Sequence, residues 1–466
     1  MRHGTIFIFF LLLILLGGLF VSQYQTSPLM VMAIAGAVIF ITAFVSPEMG
    51  LYILIFSMLL SPEIHTGSTG GSSLSRGVTL RMEDFLLIVI GFSWFIRAAV
   101  YKELGMLVRT PLNRPILFYI VACVLATGFG IMGGRVAPKT GMLYVLKYIE
   151  FFIVFFLAVN NIRDEGQVKR FIFCLFLTCF IVAIFGIYQI PEGRVSAPFE
   201  GEVGEPNTLG GYMVFILAIV LGLFHRVRSI GIRQLLILLI AVMIPPFLFT
   251  ESRASYLGFV PMVFVLALMM EKRALIIGAT VILMLLSPLV LPSEVKERVL
   301  YTFNQPREPG QIEFGGLRID TSTSARLRSW GQALADWPNH PLFGYGVTGY
   351  RFVDAQFPRV LAETGLIGFM AFLWLLRAIF KMAIANYQKV TTPFAKGICM
   401  GYIAGFVALL VHSVGANTFI IVRIMEPFWF FTGIVCVLPV LEKQADTAGD
   451  MVSSRPLTLK TIGRAY

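Results

Sequence analysis

Apolar residues in this chain come in long unbroken runs, separated by short breaks that are charged or rich in proline and glycine. A bilayer core about 30 Å thick is crossed by roughly 20 residues of helix, so each run predicts a membrane-spanning helix. The runs place helices at residues 5–21, 28–46, 49–61, 84–100, 115–134, 141–160, 170–190, 206–224, 233–249, 254–270, 274–291, 359–385, 395–415 and 419–440. Membrane-spanning strands would instead alternate apolar and polar positions over about ten residues, a pattern that does not occur. The expected fold class is all-α: a polytopic transmembrane helix bundle of about 12–14 spans.

One break is far longer than the rest. It divides the chain into transmembrane helices over 1–291, a long extracytoplasmic loop at 292–358, further transmembrane helices over 359–440 and a cytoplasmic tail at 441–466. A loop of that length is usually functional. Within it, STSARLRSWGQALADW spaces its apolar residues as a helix does. It predicts an amphipathic helix on the membrane surface, with the indoles of Trp330 and Trp337 at headgroup level. No internal repeat is evident, and GSTGGSSLS after His65 reads as a flexible loop.

Composition agrees with the runs. The 466 residues are 57% hydrophobic and 14% charged, with a mean hydropathy of +0.82. That excludes a soluble domain. The run after Arg2 lacks a small-x-small cleavage site and reads as a retained first helix. Cys123, Cys174, Cys179, Cys399 and Cys436 lie inside apolar runs without metal-type spacing, as small core residues do. The net charge is +11, and most of the Lys and Arg fall in alternate breaks, for example Arg97 to Arg114, Arg163 to Arg170, Arg226 to Arg233 and Arg377 to Lys396. Cytoplasmic loops collect such residues, so both termini are expected to be cytoplasmic. The basic surplus is thus an orientation signal, and no nucleic-acid partner is expected.

This topology puts three polar segments on the outer side: EGRVSAPFEGEVGEPN at 192–207, TESR at 250–253, and the long loop. Arg253 has almost no loop around it, and three uses fit: reaching the lipid headgroups, pairing with Glu251, or gripping phosphate oxygens with its planar fork of donors. Arg194 stands among Glu192, Glu200, Glu202 and Glu205, either bridging to one of them or serving a ligand. Asn207 follows Pro206, where a helix cap is expected. In NHPLFGYGVTGYRFVDAQFPRVLAETGLIG, Gly344, Gly346 and Gly349 allow sharp turning. Glu363 lies about a turn inside the next helix, beside Gly365 and Gly368, which permit close packing. His340 reads as a turn residue or a rival base, and His412 as a packed polar residue bonded to another helix. Lys147 with Glu150, and Arg423 with Glu426, are spaced to neutralise each other within a helix. Arg326 and Arg328 are either surface charge or ligand contacts.

In their order, these pieces resemble the O-antigen ligase and Wzy-type polysaccharide polymerase superfamily of membrane glycosyltransferases. The likeness is carried by the outer arginine before PNTLGGY, TESRASYLG, the R-x-x-x-W at Arg326 and Trp330, HPLFGYG at 340–346, LAETGLIG at 361–368, and LKYIEFFIVFFLAVNN. It implies a GT-C-like helical enzyme of the bacterial inner membrane, working on the outer face by inverting, metal-independent transfer. It needs no cofactor, and its donor is undecaprenyl-diphosphate-linked sugar. Partners would be the lipid-linked donor and acceptor, membrane lipids and other polysaccharide-assembly proteins. Arg194 and Arg253 match the arginines that hold the diphosphate, and Arg326, His340, Glu363 and Asn207 fall among substrate contacts. Ligases carry a His-Asn pair nine residues before the glutamate matched by Glu363. Here Asp354 and Ala355 occupy those places, as in many polymerases, so Asp354 is the candidate base. Polymerisation is the leading expectation and ligation the alternative. A lipid-linked-sugar transporter is the reading from another class, although the chain lacks the repeated halves common in transporters.

Overall fold

The computed structural model describes residues 28–64, 80–100, 108–200, 205–271, 273–274, 277–278, 281–282, 293–314 and 317–453. The run at 5–21, most of the run at 274–291 and the GSTGGSSLS segment lie outside the described residues. So do Arg2, Glu202 and, in the tail, Arg455, Lys460 and Arg464.

The other expected runs are helices. They are α1 (Pro28–Val45), α2 (Pro47–Leu60), α3 (Met82–Val100), α4 (Asn113–Met132), α5 (Pro138–Asn161), α6 (Glu165–Gln189), α7 (Pro206–Arg226), α8 (Ile230–Phe249) and α9 (Arg253–Leu268). The long loop contributes α10 (Ser293–Asn304) and α11 (Thr321–Asp336), and α12 (Gln356–Lys389), α13 (Pro393–Gly415) and α14 (Val422–Ser453) follow. Among the described residues, eight helices are long and apolar enough to cross a membrane: α4 to α8 and α12 to α14. Two antiparallel pairs of two-residue strands sit in the breaks, β1 (Glu63–Ile64) with β2 (Leu80–Arg81) and β3 (Glu313–Phe314) with β4 (Leu317–Arg318). The molecule is a polytopic helical bundle.

Several helices start where the chain prescribes it. Proline stands in the first turn of α2, α5, α7 and α13, where its missing N–H costs nothing. Asp164 caps α6 by accepting from Gln167 N at 2.8 Å. At α7 the cap position belongs to Glu205, and Asn207 lies inside the first turn, which corrects the capping expected of Asn207.

The centre of the bundle is α7, apolar on every side and buried along most of its length. Its partner α13 carries Gly397, Gly401 and Gly405 at every fourth position on the facing side. A Cβ on Gly401 would lie 2.5 Å from Ile219 Cα, so the two backbones approach as only glycine allows. α9 crosses the same helix, with Gly258 against Ala408 O. By contrast, α8 leaves Ile232, Leu235, Ile237 and Leu238 exposed, as a helix facing lipid would.

α12 is two helices joined at a break. Gly365 has φ +64° and ψ −167°, and the turn after His340 fills the gap. Tyr345 N donates to Ala362 O (2.9 Å) and Gly346 N to Glu363 O (2.8 Å), while Leu366 N donates to Pro341 O (2.8 Å). The groups orphaned by the break are thus paired with the turn. The sequence suggested close packing between helices at Gly365; the backbone of a turn packs there instead.

Candidate functional site

Prolines 245 and 246 lie inside α8 near its end at Phe249, and TESR turns the chain into α9. Glu251 takes left-handed backbone there, with φ +49°. The segment carrying Arg194 is fastened to this turn: Val195 N donates to Phe249 O (2.9 Å), and Arg194 Nη2 to Thr250 O (3.2 Å). Arg423 holds the same segment further on by donating to the carbonyls of Pro198 and Phe199, and ties it to the end of α2 by donating to Ser61 O. It turns to these carbonyls rather than to Glu426, as the sequence had suggested, because a buried guanidinium has five donors to satisfy.

Arg253 points into the protein, towards the long loop. Its Nη2 lies 2.8 Å from Asp320 Oδ2, its Nη1 2.7 Å from Thr302 Oγ1 and 3.4 Å from Thr323 Oγ1. Burial raises the pKa of Asp320, but the hydrogen bonds from Arg253 and Thr323, with the Arg253 charge, together outweigh it and hold the carboxyl below its ordinary value. Glu251 Oε2 lies 3.6 Å from Arg194 Nε and 3.8 Å from Arg298 Nε, shared between two guanidiniums rather than paired with Arg253. Burial, then the like charge of Arg298, push the Arg194 pKa down, with Glu251 opposing them. Ser252 donates to Asn207 Oδ1 at 2.7 Å, which ties the start of α7 to the same turn.

One helical turn along α11 is a second charged pair. Arg326 Nε and Nη2 reach Asp354 Oδ2 at 3.1 and 3.0 Å. Both contacts fall on one oxygen, and the Asp354 side chain is 35% exposed, so Oδ1 takes no part in the pairing. Thr323 and Arg326 are three residues apart, about 4.5 Å along the helix axis. The Arg253 contacts and the Arg326–Asp354 pair therefore lie side by side on one face of α11. Asn417 fixes the Asp354 segment by donating to Val353 O at 2.9 Å.

Glu363 is buried behind this face. Arg359 Nε lies 3.1 Å from its Oε1, and Thr348 N donates to the same oxygen at 3.3 Å. It anchors the turn over the break in α12 and offers a ligand little surface. His340 stands at the start of the turn, where it packs edge-on against Tyr345 with ring centroids 4.6 Å apart. Burial, then Arg135, push its pKa below the ordinary value. Trp330 faces inward, packed with Ala333, Val353, Ala355, Ala362 and Tyr350, and not towards headgroups as expected. His412 bonds Thr418 Oγ1 (2.7 Å) in the turn that follows its own helix.

A second buried polar cluster was legible only in part. Lys147 lies 3.8 Å from Glu150, as spaced, yet closer to Asp84 of α3, at 2.5 Å. Glu83 and Glu426 are fully buried nearby. Arg298, Asp320, Thr302 and Arg359 were likewise not singled out. The usable signal was spacing: Val295, Arg298 and Thr302 fall on one helical face, and Asp320 precedes a helix start.

Taken together, these features define a polytopic membrane protein whose loops gather guanidiniums beside an oriented carboxylate. Residues 238–373 match the family model described as O-antigen ligase, consistent with the O-antigen ligase and Wzy-type superfamily. The match spans α9, both loop helices and the start of α12, and so includes Arg253, Arg326, His340, Asp354 and Glu363; Arg194 and Asn207 lie outside it. With the apolar helices, it points to a bacterial membrane protein of the ligase or polymerase type, resembling a membrane glycosyltransferase. No curated protein matches the chain.

Proposed function

We propose that the protein is a polysaccharide polymerase, moving an undecaprenyl-diphosphate-linked glycan onto the sugar of a second lipid-linked acceptor at the outer face of the inner membrane. One observation carries this reading: Arg194 and Arg253 converge on the TESR turn, and the Arg326–Asp354 pair lies one turn of α11 away. In the proposed reaction the acceptor hydroxyl attacks the anomeric carbon from the side opposite the diphosphate. The bond from that carbon to the phosphate oxygen breaks, and its electron pair leaves with undecaprenyl diphosphate. Fixed guanidiniums stabilise the charge that develops there, and no metal ion is required for that role. Asp354 Oδ1 receives the hydroxyl proton, while Arg326 keeps Oδ2 occupied and the carboxylate oriented.

Ligation of finished glycan to lipid A core or another acceptor is the second reading, favoured by the description of the matched family. A deletion strain separates the two. Accumulated single lipid-linked repeats would support the polymerase, and full-length unattached chains the ligase. In the same strain Arg253→Lys keeps the charge and loses the fork, and chain extension should fall about 100-fold while the protein still inserts. Wild-type chain lengths from that variant would remove the diphosphate clamp.

A further inference from the structure

Arg298 has no counterpart in the reading above, yet its placement is specific. On α10 the buried Val295 anchors one face. Arg298 and Thr302 follow at three and seven residues, so the same face presents both. Thr302 binds Arg253, and Arg298 comes within 3.8 Å of Glu251. One helix thus brings a third guanidinium to the two already at the TESR turn.

Among the described residues the charges there do not balance. Arg194, Arg253 and Arg298 face Glu251 and Asp320, and Asp320 is engaged by Arg253. Glu251 Oε2 serves both remaining arginines from 3.6 and 3.8 Å, beyond hydrogen-bond reach of either. Arg298 Nε is buried and has no acceptor among the described residues. A buried charged donor left without an acceptor is costly, and an incoming anion would relieve that cost. The repulsion that Arg194 feels from Arg298 points the same way.

We propose that Arg298 is a third diphosphate-binding arginine, completing with Arg194 and Arg253 a site that distinguishes a diphosphate-linked lipid from a monophosphate. The inference rests on the diphosphate reading above. A guanidinium fork engages two phosphate oxygens at a time, so a third arginine adds donors that a diphosphate can use and a monophosphate does not need.

The test uses the full chain in lipid nanodiscs, with undecaprenyl diphosphate and undecaprenyl monophosphate as probes in a competition binding assay. Arg298→Gln should weaken diphosphate binding about 10-fold and leave monophosphate binding within about twofold. Arg298→Lys, which keeps the charge, should recover part of the loss and serves as the variant of record should the glutamine form not fold. Diphosphate binding at the wild-type level in both variants overturns the proposal, as does an equal loss for both lipids, which would mark Arg298 as a brace for the loop. If Arg194→Gln and Arg253→Gln lose diphosphate binding while Arg298→Gln does not, the third arginine falls and the function stands. If none of the three matters, the function itself falls.

Discussion

Glu251 occupies a conformation that costs a non-glycine residue about 1–3 kcal/mol, and it stands where two arginines meet. Strain of this kind is held by its surroundings, here the Arg194 bonds to Thr250 O and Glu251 O. Asp354 is the complementary residue, with one oxygen bound by Arg326. Asp354→Ala should lower polymer formation about 100-fold if it takes the hydroxyl proton; undiminished polymer from a stably inserted variant would end that role. Glu200 offers a pH test outside the spans. Burial, offset by Arg423, pushes its pKa up to about 7. A carboxyl whose folded pKa exceeds its unfolded one favours the folded state below the unfolded value of 4.5 and loses that advantage as pH rises to about 7. At about 1.4 kcal/mol per unit, the loss is on the order of 3–4 kcal/mol. The melting temperature should therefore fall between pH 4.5 and 7, and Glu200→Gln should flatten the slope.

The deciding elements are the loop helices and the break in α12. α10 and α11 each turn one face to the TESR turn, and α11 connects the arginine site to Asp354 through Thr323 and Arg326. The break holds the turn at 340–346 against α12, where Gly346 N donates to Glu363 O. A Cβ on Gly365 would lie 2.4 Å from Leu342 O in a backbone region that glycine alone adopts readily. Gly365→Ala should cost about 3 kcal/mol, seen as a lower melting temperature in detergent. Gly331→Ala, in exposed helix with no atom within 4 Å of the added methyl, is the control and should melt no lower than wild type. Trp330 illustrates how an amphipathic pattern misleads. Spacing gives the apolar face of α11, but whether that face meets lipid or protein depends on what the fold brings opposite, here Ala355 and Ala362.

At the scale of the whole molecule, one buried pair of helices, α7 and α13, sets the geometry. α9 packs across α13, which fixes where TESR opens, and α14 sends Arg423 back to the loop that bears Arg194. The sequence by itself determined the helical bundle and most helix limits, because unbroken apolar runs have one low-energy solution in a bilayer. It also named Arg194, Arg253, Arg326 and Asp354, because ordered motifs survive in one dimension. What only the tertiary structure decided was pairing: Arg253 with Asp320, 67 residues away, Arg326 with Asp354, Lys147 with Asp84, and Arg298 with Glu251. A charge within reach along its own helix can be read from spacing. A charge satisfied across the bundle cannot, because its partner is chosen by which helix ends the packing brings together.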